Sequence, residues 1–400
     1  MADIRSYLKE KEKREQKKED YKEKIARHKL TFFYRIVFIL VALAALGFFF
    51  YLQYKRHVYT DYDIIASVDR ESIGGTTDIR LGNAILTYSK DGAHCTDSKG
   101  NVTWNQTFQI QDVRVDACGD TVAMGDYNGR SIYVADAEKL LGEITTTMPI
   151  RDLTVSEAGY VTAVLDDGEV TRINTYNLKG ELLKEGRAHM DDSGYPMAVS
   201  LSPSGELLCV AYVYVDAGVL KTNIAFYNFD RVGSNVSDLL VSTWAYTDML
   251  IPYVKFANDN TAFAVGDSRL MIYSGSHEPG DPAEHMYDSE IRSVFNNEKY
   301  IGLVLISDKP ENRYRLDVYD TASPNSKARS FYFDVDYTDI FFGKDHFVIY
   351  NDKECQIMTM DGIEKFRGNF SEPVKLMVAA GNGYRYMLVK EGSMDTIQLK

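Results

Sequence analysis

The side chains best equipped for catalysis or metal binding in this 400-residue sequence are seven histidines, four cysteines and an excess of carboxylates. A zinc site readable from sequence has ligands spaced as Cys-x-x-Cys or His-x-x-x-His, so that two donors face one ion from a single turn or helix face. Neither spacing occurs. Asp334, Asp336 and Asp339 cluster in DVDYTD, but the glycine and distal glutamate of a calcium loop do not follow, so the segment reads as a polar strand junction. Gly275-Ser276-His277 lacks the strained Gly-x-Ser-x-Gly turn that exposes a nucleophilic serine. The sequence therefore nominates no catalytic residue, no cofactor-binding residue and no metal ligand, and it implies no cofactor.

What does recur, about eight times between residues 62 and 400, is a structural unit. In five units an apolar strand leads into Asp or Asn: Thr96-Asp97, Ala135-Asp136, Tyr176-Asn177, Tyr227-Asn228 and Tyr319-Asp320. These residues suit a turn because their side chains bond the backbone two residues on. Two further units turn at Ser274-Gly275 and Met360-Asp361-Gly362. An earlier turn also repeats, with VSLSPSGELLCVAYVY (199–214) as its fullest copy. The strand after it is a nearly continuous apolar run, as expected where neighbouring sheets cover both faces.

The units begin near residues 76, 111, 150, 195, 250, 290, 336 and 373, a spacing of about 35 to 55 that matches propeller blades. The expected fold is all-β, a β-propeller of four-stranded blades, eight rather than seven unless one unit is an embellishment. Two stacked β-sandwiches would need the turn spacing without the repeated turn chemistry. The last unit ends one strand short, and residues 62–68 form a strand with no blade of its own. Placing that strand outermost in the eighth blade closes the ring.

CTDSKGNVTWNQTF (95–108) resembles the repeat of quinoprotein-like propellers, with a strand, an Asp turn, a Gly and then a Trp. INTYNLKGELLKEG (173–186) and IMTMDGIEKFRGNF (357–370) are weaker copies, with Leu183 and Phe366 near the Trp position. The resemblance, shared with WD40-like repeats, implies the fold alone. Only Trp104 and Trp244 are present, and no adjacent cysteine pair occurs, so quinone-dependent oxidation is not implied. In the repeat register Cys95 and Cys355 occupy third strands of blades one and seven, Cys118 a first turn of blade two and Cys209 a second strand of blade four. None of these pairs falls within the ~7 Å between Cα atoms that a disulfide needs, so four free thiols are expected.

Residues 36–52 are 17 uncharged positions, 12 of them Ile, Val, Leu or Phe. As a helix they span about 26 Å, and Phe32, Phe33 and Tyr34 extend that toward a ~30 Å hydrocarbon core. Tyr34, Tyr51 and Tyr54 fall where an aromatic belt would lie. Basic residues are concentrated before the span, which predicts a cytoplasmic amino terminus. Bulky Phe48, Phe49, Phe50 and Tyr51 stand where a signal peptidase would want small residues, so the segment reads as an uncleaved anchor. The preceding tail reads as an exposed helix supported by the pairs Glu10 with Arg14, Asp20 with Lys24 and Glu23 with Arg27.

The expected organisation is a charged, helical cytoplasmic tail (1–31), a transmembrane helix (32–54), a linker (55–61) and an extracytoplasmic propeller (62–400). Residues 1–35 carry 12 basic and 7 acidic side chains, leaving a net charge of −18 for the remainder. So acidic a domain is unsuited to nucleic acid. The layout resembles an uncharacterised family of membrane-anchored envelope propellers from Gram-positive bacteria. Three functions fit: a scaffold binding a protein or other ligand at propeller loops or the channel face, a glycan- or peptide-processing enzyme with its site at the channel, and a sensor coupled to a cytoplasmic partner through the tail.

Overall fold

The computed structural model describes residues 3–71, 73–189, 193–381 and 383–400. The chain separates into two units, Met1–Val58 and Tyr59–Lys400. The first is one helix, Asp3–Arg56. Tail and apolar segment, expected as two elements, are continuous because no proline and no glycine before Gly47 interrupts them. Its stretch Ser6–Tyr51 is long and apolar enough to cross a membrane by length and composition. Two of the expected ion pairs form, Arg14 to Glu10 at 3.6 Å and Lys24 to Asp20 at 3.7 Å. The side chains of Glu23 and Tyr54 lie outside the described ones.

Residues 62–400 form eight antiparallel sheets of four strands each, so the fold is an eight-bladed β-propeller. Innermost strands begin at Thr77, Val113, Ile150, Tyr195, Tyr253, Ser293, Asp339 and Leu376, within three residues of the repeat boundaries read from sequence. All five predicted Asp and Asn turns form as expected. Asp97, Asp136, Asn177, Asn228 and Asp320 each accept the backbone N–H two residues on, at 2.7–3.0 Å. These turns share one face, here the lower face, with the turns that follow the innermost strands. Turns after the second strands, and the connections between blades, lie on the upper face.

Ring closure is also as read. Leu376–Ala379, Arg385–Val389 and Ser393–Leu399 supply three strands of blade eight, and Tyr62–Asp69 supplies its outer strand. The pairing runs antiparallel from Tyr62 opposite Leu399 to Asp69 opposite Ser393. Inside this seam Lys390 Nζ lies 2.7 Å from Asp395 Oδ2, with only 7% and 5% of the two side chains exposed. Ser67 Oγ of the outer strand donates to the other Asp395 oxygen at 2.5 Å. The carboxyl pKa is lowered: burial opposes ionisation, but the Lys390 and Ser67 bonds outweigh it.

The core lies between adjacent blades. Second strands such as Thr121–Asp126 and Tyr300–Ile306 are buried along nearly their whole length, which explains their unbroken apolar sequences. Each large side chain there contributes roughly 1.5–3 kcal/mol by burial. The cysteines lie in blades one, two, four and seven and are unpaired.

Candidate functional site

Propellers offer two kinds of recess, the central channel and the gaps between blades. In the channel, four equivalent positions on the innermost strands of blades two to five carry Asp116, Thr154, Ser200 and Lys255. Each of the first three accepts the N–H of the next blade's innermost strand: Val155 N to Asp116 Oδ2 at 2.9 Å, Leu201 N to Thr154 Oγ1 at 3.2 Å and Phe256 N to Ser200 Oγ at 3.0 Å. Lysine has only donors and cannot continue this ladder. Lys255 instead reaches across the channel from blade five to blade two, placing Nζ 2.6 Å from Asp116 Oδ1. Burial works against the ammonium, yet the Asp116 carboxylate prevails and the lysine pKa is raised.

A second bridge spans blade eight. Arg80 of blade one pairs with Asp339 of blade seven at 2.6 Å and donates to Met377 O of blade eight at 3.1 Å. Its guanidinium lies 4.7 Å above the Phe341 ring, and Tyr350 Oη donates to Asp339 at 3.0 Å. At the upper mouth Arg114 and Arg151 both lie against the Tyr127 ring, at 4.8 and 5.6 Å, and Arg151 is bound to Asp166. Nearby Asp152 has its carboxyl pKa raised, chiefly by burial. The channel is thus crossed by ion pairs whose members are mutually satisfied.

The gap between blades three and four is different. It holds a cavity of about 1010 Å³ lined by Lys184, Tyr212, Tyr214, Asn223, Tyr227 and Thr243, among others. The pairing register explains it. Trp104 of blade one and Phe366 of blade seven are the first outer-strand residues after a bulge, opposite Cys95 and Ile357. Both are buried against the next blade, and Trp104 Nε1 donates to Asp136 O there at 2.7 Å. In blade three the same register position, opposite Thr175, is Lys184. Leu183, expected near that position, is instead 44% exposed, because the bulge shifts the strand by one residue and turns it outward.

A lysine cannot desolvate its ammonium to fill such a gap, so the gap stays open. Blades two and four also lack an aromatic there but close by other means. A Cβ on Gly142 would fall 2.2 Å from Leu178 O, and Trp244 packs 4.9 Å from Tyr273. On the floor of the groove the Tyr212 and Tyr227 hydroxyls are 2.9 Å apart, and burial raises both pKa values. On its rim Asp238 and Leu239 are consecutive non-glycine residues in the left-handed region, at φ 56° and 62°. Such backbone costs energy and recurs at ligand-binding loops.

The motifs weighed from sequence fall elsewhere. Asp334, Asp336 and Asp339 do not converge: Asp334 accepts the Arg313 N–H at 2.9 Å, Asp336 pairs with the Arg313 side chain at 2.5 Å and Asp339 belongs to the channel bridge. His277 stands on the lower face, where it, Asp230 and Glu206 each offer one donor atom within 4.8 Å of the others. Sequence spacing cannot reveal that grouping, since its members come from three turns of two blades.

A family model described as a family of unknown function (DUF5711) matches residues 55–399. The chain belongs to the DUF5711 family. Among curated proteins none matches this DUF5711 chain. Among solved structures it is similar to Sqt1 from Chaetomium thermophilum, at a TM-score of 0.54 and 14% identity over 84% of this chain and 98% of that one. The same protein bound to the N-terminus of the ribosomal protein L10 gives 0.52 and 15% over 84% and 99%. BamB from Moraxella catarrhalis gives 0.48 and 10% over 85% and 100%. At these identities the likeness is one of fold, that of a WD40-like β-propeller.

Proposed function

We propose that this DUF5711 protein is a single-pass membrane protein whose propeller, outside the cytoplasm at the cell envelope, binds an extended segment of a partner protein in the groove between blades three and four. The observation that carries this reading is the groove itself, open and lined by tyrosines while the channel is crossed by paired charges. Four consecutive residues of an outer strand, Lys184 to Arg187, line it, so a strand edge with free backbone groups borders the cavity. An extended peptide satisfies such an edge while its alternate side chains enter the gap. The propeller of Sqt1, bound to the N-terminus of another protein, is a precedent of fold for holding a terminal segment. The helix supplies the anchor, with residues 1–31 as the cytoplasmic tail, 32–54 as the span and 55–61 as the linker. Its basic flank favours a cytoplasmic amino terminus.

The test is a photo-crosslinking side chain placed at Tyr214 in the groove or at Tyr253 beside the channel, in the full-length protein in its native membrane. A single polypeptide adduct from position 214 and none from 253 is expected. Adducts confined to position 253 would overturn the groove as the binding site. Protease applied to wall-free cells is expected to remove the propeller and leave a protected fragment containing the span, and protection of the propeller would reverse the orientation.

A further inference from the structure

Glu206 follows the innermost strand of blade four, Asp230 follows its third strand and His277 follows the third strand of blade five, all on the lower face. His277 Nδ1 is 3.1 Å from Asp230 Oδ2, and one donor atom of each of the three residues lies within 4.8 Å of the other two. Three donors around a tetrahedral zinc at about 2.0–2.2 Å stand about 3.4 Å apart. The His277–Asp230 spacing of 3.1 Å is close to this, and the donor of exposed Glu206, within 4.8 Å of the other two, has to move closer to reach it. The backbone segments are tied together independently of the side chains. Phe229 N donates to Glu206 O at 2.7 Å and Asn228 Nδ2 to His277 O at 2.8 Å.

Two carboxylates converge here, yet among the described residues neither is paired with a lysine or arginine. Every channel carboxylate named above except Asp152 has such a partner. Asp230 is bonded by His277 at one oxygen and by the Val232 N–H at the other, at 2.5 Å, whereas the exposed Glu206 carboxylate has no side-chain partner among the described residues and is available to an ion. A divalent cation would engage one donor atom of each of the three residues at once. We propose that Glu206, Asp230 and His277 form a binding site for a first-row divalent cation, with one nitrogen and two oxygen donors suited to Zn²⁺ and too few oxygens for Ca²⁺. The ion clamps the loop after Asn228 in blade four to the loop after Ser274 in blade five, and water completes its coordination.

The experiment uses the untagged full-length chain in detergent, stripped with chelator, then titrated with Zn²⁺ by calorimetry and by thermal melting. One equivalent is expected to bind and to raise the melting midpoint, with no competition from Ca²⁺ in tenfold excess. Loss of a partner that merely orients a ligand costs about 10- to 100-fold in affinity. Removing a ligand outright is therefore expected to cost at least about tenfold in both His277→Ala and Glu206→Gln. Asp334→Asn, a control carboxylate elsewhere, leaves the affinity unchanged. Should His277→Ala not fold, Glu206→Gln, on an exposed turn, carries the test. Absence of saturable uptake, or uptake that Glu206→Gln leaves unaltered, overturns the site.

Discussion

Two lysines mark two contrasting regions of the propeller. Lys255, at the end of a ladder of acceptors, finds Asp116 across the channel and closes it. Lys184, in a place where blades one and seven put an aromatic ring, has no ionic partner among the described residues and leaves the neighbouring gap open. The same side chain seals one recess and creates the other, and what decides is whether a carboxylate stands within reach. A buried charge must be paired or must keep water beside it. The channel is therefore part of the structural frame, and the proposed binding surface is the groove at the periphery of blades three and four.

The contrast is breakable at four places, all in the full-length chain. The largest effect belongs to Lys255→Met, which leaves the Asp116 carboxylate in the channel without its cation, bonded only by the Val155 N–H and the Thr154 hydroxyl. A loss of about 3 kcal/mol is expected from denaturant unfolding, the low end for breaking a buried pair because about a fifth of each side chain is exposed, and a loss below about 1 kcal/mol would show that the bridge is not structural. Arg80→Met comes next. Asp339 keeps its Tyr350 hydroxyl, so the cost should be about 2 kcal/mol, the worth of hydrogen bonds to a charged group. Lys184→Trp acts in the opposite direction. Restoring the aromatic should fill the groove, stabilise the fold by about 1 kcal/mol and remove the crosslink from position 214, and a crosslink that persists would separate partner binding from the groove.

The smallest effect is that of Asp152→Asn. Burial raises this carboxyl pKa in the folded chain, so the folded state holds the proton more tightly than the unfolded one. Stability contributed by the protonated form is then lost as pH rises through the carboxylate range. Asparagine keeps the acceptor for the Leu153 N–H, which is 2.9 Å away, and removes the charge. A melting midpoint higher by roughly one to two degrees at neutral pH is expected, with the difference vanishing below about pH 4. A difference that instead grows on acidification would reverse the sign of the argument.

The fold was legible because it is written in local chemistry. Asp97, Asp136, Asn177, Asn228 and Asp320 each make a turn within a few residues, and eight copies of one pattern average out the noise in any single unit. The orphan strand before blade one announced closure by elimination. The recesses were not legible, for two physical reasons. Lys184 opens a groove only because a bulge sets it, one residue beyond Leu183, at the position where repeat spacing alone places Leu183. Asp116 meets Lys255 only through the curvature of the whole ring. Glu206, Asp230 and His277 likewise come together through blade packing that no spacing rule encodes.

The seam in blade eight has a consequence in time. Ser67 and Asp395, which bond across it, are 328 residues apart in the chain. At about 5–20 residues per second of synthesis, the first strand waits on the order of half a minute for its partner. Throughout that interval it is an unpaired edge displaying Ile64 and Ile65, each 50% exposed even in the finished ring. An edge of that kind invites pairing with the wrong chain. Crowding of nascent copies during synthesis would then lower the yield of closed propellers even where the completed ring is stable.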